Sequence, residues 1–306
     1  MQDWGELHRM NVPVNDLQLP LKAVIYATDF SPCSQNAGKY ASLVARQFNA
    51  DLLAAHAFVL SQAAMEVEAE DGAVKESGQR KDLETALSAI AKQLGEGLRR
   101  AVPVLVEGDP RECIPRLAEQ NAPSLIVLGT HGGGRLGRGI IGSLAERILR
   151  TTNGPSLTVG PAVPVCEPAC APFRRILFAT GLSVAAARGA PYAVGMAQAF
   201  DASLDVLHVA HEEEVENPDR FSEIQRQFYV VLEGLVGRQG VAIREPRGIV
   251  EAGSAHQHIM KYIREFGVDL LILSIRKSSH LWLQSRISGA FHIIANAPCP
   301  VLTITG

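Results

Sequence analysis

The sequence predicts an α/β protein of two tandem domains, each with a five-stranded parallel sheet and helices on both faces. Three observations predict this fold class. The chain has 306 residues, which is long for one typical domain and suits two. Short apolar segments alternate with amphipathic ones, which is the order of a parallel sheet with crossover helices. The two halves of the chain also repeat each other.

The repeat appears when the halves are compared at a nearly constant offset. The segment from Ala23 matches the segment from Arg175 at an offset of 152 residues, and the segment from Ser124 matches that from Asp269 at 145. The order of the matches is kept, which indicates two domains of one fold. We predict an N-terminal extension at 1–19, domain 1 at 20–160, a Pro-rich linker at 161–172 and domain 2 at 173–306.

Local signals predict the elements of domain 1 in order. AVIYAT is a short apolar run with β-branched and aromatic members, typical of a buried strand. Ser31 is a favourable N-cap and Pro32 a favourable first residue for a helix that reaches about Phe48. The same reasoning predicts strands at 51–58, 102–108, 124–130 and 156–160, and helices at 79–100, 110–119 and 144–152.

Composition and charge exclude several classes of function. The net charge of −3 argues against broad electrostatic binding to DNA, RNA or anionic membranes. No apolar run reaches the roughly 18–20 residues that span a bilayer. Residues 1–19 lack the apolar core of a signal peptide, so we expect a cytoplasmic protein. The five cysteines are scattered without a C-x-x-C pair, so we expect reduced thiols and no metal site.

A glycine-rich segment at 129–143, GTHGGGRLGRGIIGS, follows the predicted fourth strand and leads into a helix. Ligands of doubly wound sheets bind beyond the carboxyl ends of the strands, where the strand order reverses. Glycines let backbone N–H groups approach an anion, and the next helix directs its positive end to the same place. Arg135 and Arg138 either supply positive charge or are simply solvated. The segment has no lysine and does not follow the first strand, so it fits neither a P-loop nor a dinucleotide fingerprint.

The spacing of this segment is Gly129, two residues, Gly132, nine residues, then Gly142 and Ser143. With TDFSPCSQNA after the first strand and HAF ending the second, it resembles the universal stress protein family. The resemblance covers both halves, but the glycine spacing is present only in the first. It implies two Rossmann-like domains of the adenine nucleotide alpha hydrolase-like type.

The resemblance also implies an adenine nucleotide ligand, most simply ATP. Asp29 would accept hydrogen bonds from the ribose hydroxyls, and the main chain at Ala57 would contact the adenine edge. Mg²⁺ could bridge the phosphates, but the glycine-rich segment has no carboxylate to fix it. No residue is assigned a catalytic or metal-binding role. The residues expected to bind the nucleotide are Thr28, Asp29, Ala57, Gly129, Gly132, Arg135, Gly142, Ser143 and Leu144.

The same residues are also compatible with purely structural roles. The glycines could form a flexible linker, Asp29 a turn and Ser143 an ordinary N-cap. His131 has no acidic or nucleophilic residue at a useful spacing, so we expect an exposed histidine rather than a catalytic one. His56 and His208 occupy matching strand ends, which indicates a structural role.

The second half lacks the nucleotide signature. Gly181 stands where the first half has Asp29, and Ser274, Lys277 and Ile287 stand where it has the three spaced glycines. Only Ser143 has a like residue, Ser288. We therefore expect that domain 2 does not bind ATP in the same mode.

The resemblance implies a role for the fifth strands as well. In the family these strands pair across a dimer axis, and here Pro155–Gly160 and Pro300–Thr305 are the corresponding edges. The two domains are therefore expected to form a pseudo-dimer within one chain, and two chains to form a homodimer.

The sequence is compatible with three functions. They are an ATP-binding regulatory module of a stress response, a slow ATPase, and an interaction scaffold without nucleotide. Phosphoryl transfer needs a positioned base, a fixed metal and charge stabilisation, and the sequence offers glycines, two arginines and Asp29. The regulatory module is therefore the favoured hypothesis.

Overall fold

The computed structural model describes residues 19–59, 69–131, 141–152, 154–167, 173–181, 184–237, 246–275 and 284–305. Strands and helices alternate through both halves, as the sequence predicts. The first half contains β1 (Ala23–Ala27), α1 (Pro32–Gln47), β2 (Asp51–Phe58), α2 (Ala69–Leu94), β3 (Ala101–Glu107), α3 (Pro110–Gln120), β4 (Ser124–Gly129), α4 (Ser143–Thr151) and β5 (Gly154–Val159). The second half contains β6 (Arg175–Ala179), α5 (Val184–Phe200), β7 (Ser203–Ala210), α6 (Glu212–Val215), α7 (Pro218–Gly237), β8 (Arg247–Ala252), α8 (Ala255–Phe266), β9 (Leu270–Ile275), α9 (Gln284–Asn296) and β10 (Val301–Thr305).

The strands form a single sheet of ten in the order β3-β2-β1-β4-β5-β10-β9-β6-β7-β8. The five strands of each half are parallel to one another, which confirms the predicted fold class. The fifth strands β5 and β10 pair antiparallel and join the two halves, so the sheet is continuous. Apolar side chains cover both faces of this sheet in two core clusters.

The strand registers make the two halves equivalent residue by residue. Ala27 pairs with Leu128 in the first half, and the residues at the offsets of 152 and 145, Ala179 and Leu273, pair in the second. Every other pair of neighbouring strands within the halves follows the same rule. Positions in one domain can therefore be compared directly with positions in the other.

Equivalent residues also meet each other where the halves join, as expected around a two-fold axis. Leu157 of β5 pairs with its equivalent Leu302 of β10. The Phe48 ring meets its equivalent Phe200 edge-on, with centroids 6.2 Å apart. The halves are therefore related by a pseudo-two-fold axis that passes through the β5–β10 pair.

The helix predicted at 79–100 is wrong at both ends, because α2 spans Ala69–Leu94. It ends before Gly95 and Gly97, and Gly97 adopts a left-handed φ of 74° that stops a helix. Its start lies in a polar stretch without apolar periodicity, so the sequence pattern does not mark it. None of the described helices is long and apolar enough to cross a membrane.

Candidate functional site

The candidate site lies where β1 and β4 run side by side. The chain passes from β1 to β2 on one side, while β4 and β5 lie on the other, so the strand order reverses between β1 and β4. Crevices at such points bind ligands in doubly wound sheets. The residues that leave these two strand ends are Thr28-Asp29 and Thr130-His131.

Thr28 is buried and holds the start of α1 in place. Its hydroxyl lies 3.1 Å from the Ser34 hydroxyl and accepts a 3.0 Å hydrogen bond from the Phe30 amide. Its main-chain amide donates to the Ala55 carbonyl in the neighbouring strand β2. These contacts make Thr28 a residue that positions the turn, and its side chain points into protein rather than into the crevice.

Asp29 presents an exposed carboxylate at the same strand end. Its Oδ1 accepts hydrogen bonds from the Ser31 amide at 3.1 Å and the Ser31 hydroxyl at 2.6 Å. Ser31 is the N-cap of α1, with Pro32 as the first helical residue, as the sequence predicts. The carboxylate is thereby fixed in orientation beside a helix start, and an ionised carboxylate is an acceptor only.

Phe30 belongs to this site and was missed from the sequence. It adopts a left-handed φ of 62°, which is uncommon for a bulky residue and marks a constrained turn. Its ring packs against the His56 imidazole with centroids 4.7 Å apart. The His56 Nδ1 donates to the Thr28 carbonyl at 2.7 Å, because a carbonyl oxygen can only accept. The structural role expected for His56 is confirmed, and the pair lies next to half-buried Ala57 at the end of β2.

Gly129 ends β4 directly against the start of α1. A Cβ at this position would lie 3.0 Å from the backbone of Cys33 and of Ser34. The helix start can therefore approach the strand end only because residue 129 has no side chain. Gly129 thus has a packing function in the structure and is not part of a loose linker.

The two ends of the glycine-rich segment are joined by a hydrogen bond. The Gly142 amide donates to the Thr130 carbonyl at 2.7 Å, and the Thr130 amide donates to Val159 of β5 at 2.9 Å. Thr130 is fully buried, so this link is shielded from water. Gly132, Arg135 and Arg138 lie between these anchors and outside the described residues.

His131 is half-buried, so the expected exposed histidine is wrong. Its Nδ1 lies 2.8 Å from the Thr130 hydroxyl, and its Nε2 has no hydrogen-bond partner among the described residues. Burial lowers the pKa of His131, because the cation would be poorly solvated there. Ser31, 100 residues earlier in the chain, donates to the His131 carbonyl at 3.5 Å, and the sequence alone does not show this contact.

Helix α4 begins at the far end of the segment. Gly142 is its N-cap, so Ser143 is not the N-cap that the sequence allowed; it is the exposed first helical residue. Among the described residues no side chain caps the helix, which leaves first-turn amides and the positive helix end for another acceptor. Leu144 is half-buried against the core, so only its main chain can face the crevice.

A cationic group lies further along the same face of α4. Arg147 is one helical turn beyond Ser143, and its charge helps to lower the pKa of Asp109 at the start of α3. Asp109 is held mainly by hydrogen bonds from Arg111, and its pKa falls to about 2. The first turn of α4 therefore has the Arg147 cation nearby, together with the Glu146 carboxylate that pairs with Arg150.

The equivalent place in domain 2 keeps the framework and loses the polar features. His208 Nδ1 donates to the Thr180 carbonyl at 3.0 Å, as His56 does to Thr28, and burial lowers the pKa of His208. Gly181, which replaces Asp29, is exposed, and nothing lies within 4 Å of where its Cβ would be. This end of domain 2 has no carboxylate in that position.

The other two features differ as well. Ser274 replaces Gly129, and its hydroxyl fills the space that a Cβ on Gly189 would need. Helix α9 begins at Gln284, whereas the position equivalent to the start of α4 is residue 288. Ile287 therefore lies inside a helix instead of preceding one, and Lys277 lies outside the described residues.

Comparison with known proteins agrees with this architecture. The model of the Universal stress protein family matches residues 20–160 and again residues 172–305. Universal stress protein MJ0531 of Methanocaldococcus jannaschii is 32% identical over 143 residues, which are 45% of this chain and 81% of that protein.

Two solved structures cover nearly the whole chain. A universal stress protein from Archaeoglobus fulgidus superposes with a TM-score of 0.70 at 19% identity, over 92% of this chain and 98% of that one. A protein of unknown function from Pseudomonas aeruginosa gives a TM-score of 0.61 at 12% identity, over 94% of both chains. At these identities the likeness is one of fold.

Proposed function

The chain belongs to the universal stress protein family, and from that premise we propose that domain 1 binds one adenine nucleotide, ATP, as a regulatory ligand. Domain 2 is a partner domain without this site. The observation that carries the proposal is the difference between equivalent positions. The exposed carboxylate of Asp29, the bare backbone at Gly129 and the open helix start at Gly142 occur together in domain 1, whereas the equivalent positions of domain 2 are an exposed glycine, a serine and a residue inside a helix.

The residues at the crevice fit the parts of an adenine nucleotide. Asp29 would accept hydrogen bonds from the ribose hydroxyls. The main chain at Ala57, beside the Phe30 and His56 rings, would meet the adenine. The first-turn amides of α4, at Ser143 and Leu144, would hold phosphate oxygens.

Residues of the glycine-rich segment would complete the phosphate contacts. Gly132 and Arg135 are proposed for this role from the sequence spacing alone, since both lie outside the described residues. The described residues contain no group of three or more His, Cys, Asp or Glu side chains that could hold a metal ion. Any Mg²⁺ would therefore bind through the phosphates of the nucleotide.

A regulatory ligand fits the site better than a hydrolysed substrate. Phosphoryl transfer needs a base or a positioning group for water beside the terminal phosphate. Asp29 is oriented by Ser31 at the opposite, ribose end of the proposed binding mode. Hydrolysis is therefore expected to be slow, and the occupancy of the site is the signal.

The two domains act as a pseudo-dimer in this proposal. The β5 and β10 edges pair with each other within the chain. A homodimer of two chains, as proposed from the sequence, would need another surface.

The direct test is the nucleotide content of the purified protein. We expect about one adenine nucleotide per chain, released by denaturation and identified by anion-exchange chromatography. Asp29→Ala should weaken ATP binding roughly tenfold or more, because hydrogen bonds to a charged group contribute about 1.5–3 kcal/mol. Gly181→Ala at the equivalent position of domain 2 is the matched control and should leave binding unchanged.

Each alternative has its own result. Two nucleotides per chain would contradict the loss of the site in domain 2. No retained nucleotide and no binding on titration would favour the scaffold. Turnover faster than about one ATP per minute, lost in Asp29→Ala, would favour an enzyme.

A further inference from the structure

The linker between the domains lies on helix α1 of domain 1 and is held there by two side chains. The Asn36 amide group donates to the Val163 and Pro164 carbonyls at 3.3 and 3.1 Å, and its Oδ1 accepts from the Cys166 amide at 3.1 Å. The Tyr40 hydroxyl also donates to the Pro164 carbonyl at 3.1 Å. The segment that precedes domain 2 is therefore clasped by domain 1.

The segment that precedes domain 1 crosses the axis in the opposite direction. Leu19 lies against α5 of domain 2, where a Cβ on Gly195 would be 2.6 Å from the Leu19 Cγ. Leu21 is equivalent to Phe173 at the offset of 152, and Phe173 stacks on the Tyr40 ring with centroids 6.2 Å apart. Leu21 and Tyr192, the equivalents of Phe173 and Tyr40, line one cavity, so the residues just before β1 and just before β6 lie beside equivalent tyrosines.

The sequence extends this repeat further upstream. Residues 12–14 read Val-Pro-Val, and residues 163–165 of the linker also read Val-Pro-Val, at an offset of 151 that is one residue shorter than the offset between Leu21 and Phe173. An acidic residue follows two positions later in each copy, as Asp16 and as Glu167. Each copy then reaches a proline directly before Leu21 or Phe173. The linker is therefore one copy of a repeated arm, and residues 12–21 are the other.

Helix α5 has, at the positions equivalent to Tyr40 and Asn36, side chains that can bind this second arm. Tyr192 is the equivalent of Tyr40, and burial raises its pKa, while no described residue forms a hydrogen bond with its hydroxyl. A cavity of about 90 Å³ lies beside it, lined by apolar side chains that include Leu19 and Met196. Arg188 is exposed in the place of Asn36 and can donate to carbonyl groups.

We propose that residues 12–18 dock on α5 of domain 2 and that the Pro13 carbonyl accepts a hydrogen bond from the Tyr192 hydroxyl. The arm then mirrors the contact between Pro164 and Tyr40. Arg188 donates to the arm and faces the opposite charge of Asp16. The segment before domain 2 then contacts domain 1, and the segment before domain 1 contacts domain 2. These contacts connect the domains in addition to the β5–β10 strand pair.

The arm is long enough to reach this surface. Pro13 and Leu19 are six positions apart, and this stretch can span up to about 20 Å. The seven-residue step from Gly195 back to Arg188 is only about 10 Å along a helix. The direction also agrees. Followed backward along the chain, the linker runs toward the start of α1, and the arm followed backward from Leu19 would run toward the start of α5.

A stability cycle tests the hydrogen bond. Tyr192→Phe should lower the melting temperature of the full chain by about 2–4 °C, and should change it by less than about 1 °C in a chain that lacks residues 1–18. Tyr40→Phe is the matched control and should have its full effect in both chains. An effect of Tyr192→Phe that is the same in both chains would overturn the proposal.

Cross-linking tests the placement without truncation. Val12→Cys combined with Arg188→Cys should be joined within one chain by a short thiol cross-linker, as should the control pair Val163→Cys with Asn36→Cys. Peptide mass mapping separates these links from native cysteines. The control link without the Val12–Arg188 link would refute the docking, and a link between two chains would place the arm on a second copy instead. Neither test depends on nucleotide, so failure here leaves the proposed function untouched.

Discussion

Gly129→Ala is the sharpest single test of how the candidate site is built. The added Cβ would lie 3.0 Å from two backbone atoms at the start of α1, the Cys33 carbonyl carbon and the Ser34 amide nitrogen. Ordinary carbon contacts lie at about 3.5–4.0 Å, so the atoms overlap by about 0.5–1 Å. Backbone in the first turn of a helix cannot rotate aside as a side chain could. The helix start must therefore move away from β4.

The expected cost follows from this overlap. Overpacking of a well-packed site typically destabilises by about 1–3 kcal/mol. Gly129→Ala should lower the free energy of unfolding by that amount in urea titrations. Because Asp29 and Ser31 sit on the displaced helix start, the variant should also retain less nucleotide.

The matched control is Gly181→Ala in domain 2. Nothing lies within 4 Å of the Cβ that this change adds, and neither glycine has a positive φ. The control should change the free energy of unfolding by less than about 0.5 kcal/mol. If Gly129→Ala proves as stable as Gly181→Ala, the close approach of α1 to β4 does not require a glycine and our account of this position is wrong.

Three further predictions do not depend on the proposed nucleotide site. Tyr262→Phe should cost about 1–3 kcal/mol in urea unfolding, because its hydroxyl donates at 3.0 Å to the buried carboxylate of Asp205. The free energy of unfolding should fall as the pH decreases below about 6.5. Burial lowers the pKa of His208, so the imidazole takes up a proton in the unfolded chain at a higher pH than in the folded one. His208→Gln should reduce the dependence of the unfolding free energy on pH. Burial raises the pKa of Cys299 to about 12, so iodoacetamide at pH 8 should modify half-buried Cys33 well before Cys299 in the native protein, as read by mass spectrometry.

Much of the fold could be predicted because its signals are local. Ser31 and Pro32 mark the start of α1 by capping chemistry that needs no knowledge of the rest of the chain, and the structure confirms both. The apolar run at 124–129 similarly marks β4. The equivalence of the halves also followed from the sequence, because the offsets of 152 and 145 reappear as strand registers.

The parts that could not be predicted depend on contacts between distant segments. Gly129 looked like a ligand-binding glycine, but the need for it comes from a helix almost 100 residues earlier in the chain. His131 looked exposed because nothing near it in sequence buries it. Phe30 gave no signal of a left-handed backbone, since residue type alone does not favour that conformation.

The pseudo-symmetry explains which positions are able to differ between the halves. Leu157 and Leu302 meet each other at the axis, so a change in one alone would meet the unchanged other. Positions far from the axis do not contact their own equivalents. There, groups of neighbouring residues differ together between the two domains. Asp205, Arg247 and Tyr262 of domain 2 form a hydrogen-bonded and ionic group. Their equivalents in domain 1 are three apolar residues, Leu53, Val102 and Leu117.

Such a set has to change together. A buried Asp205 without Tyr262 would be a carboxylate deprived of a donor, and the apolar trio has nothing to offer it. The proposed nucleotide site follows the same logic, because the binding mode that we propose uses the carboxylate, the bare strand end and the open helix start together. Their joint replacement in domain 2 is therefore what the loss of one function predicts, whereas independent drift would be expected to leave some of the three in place.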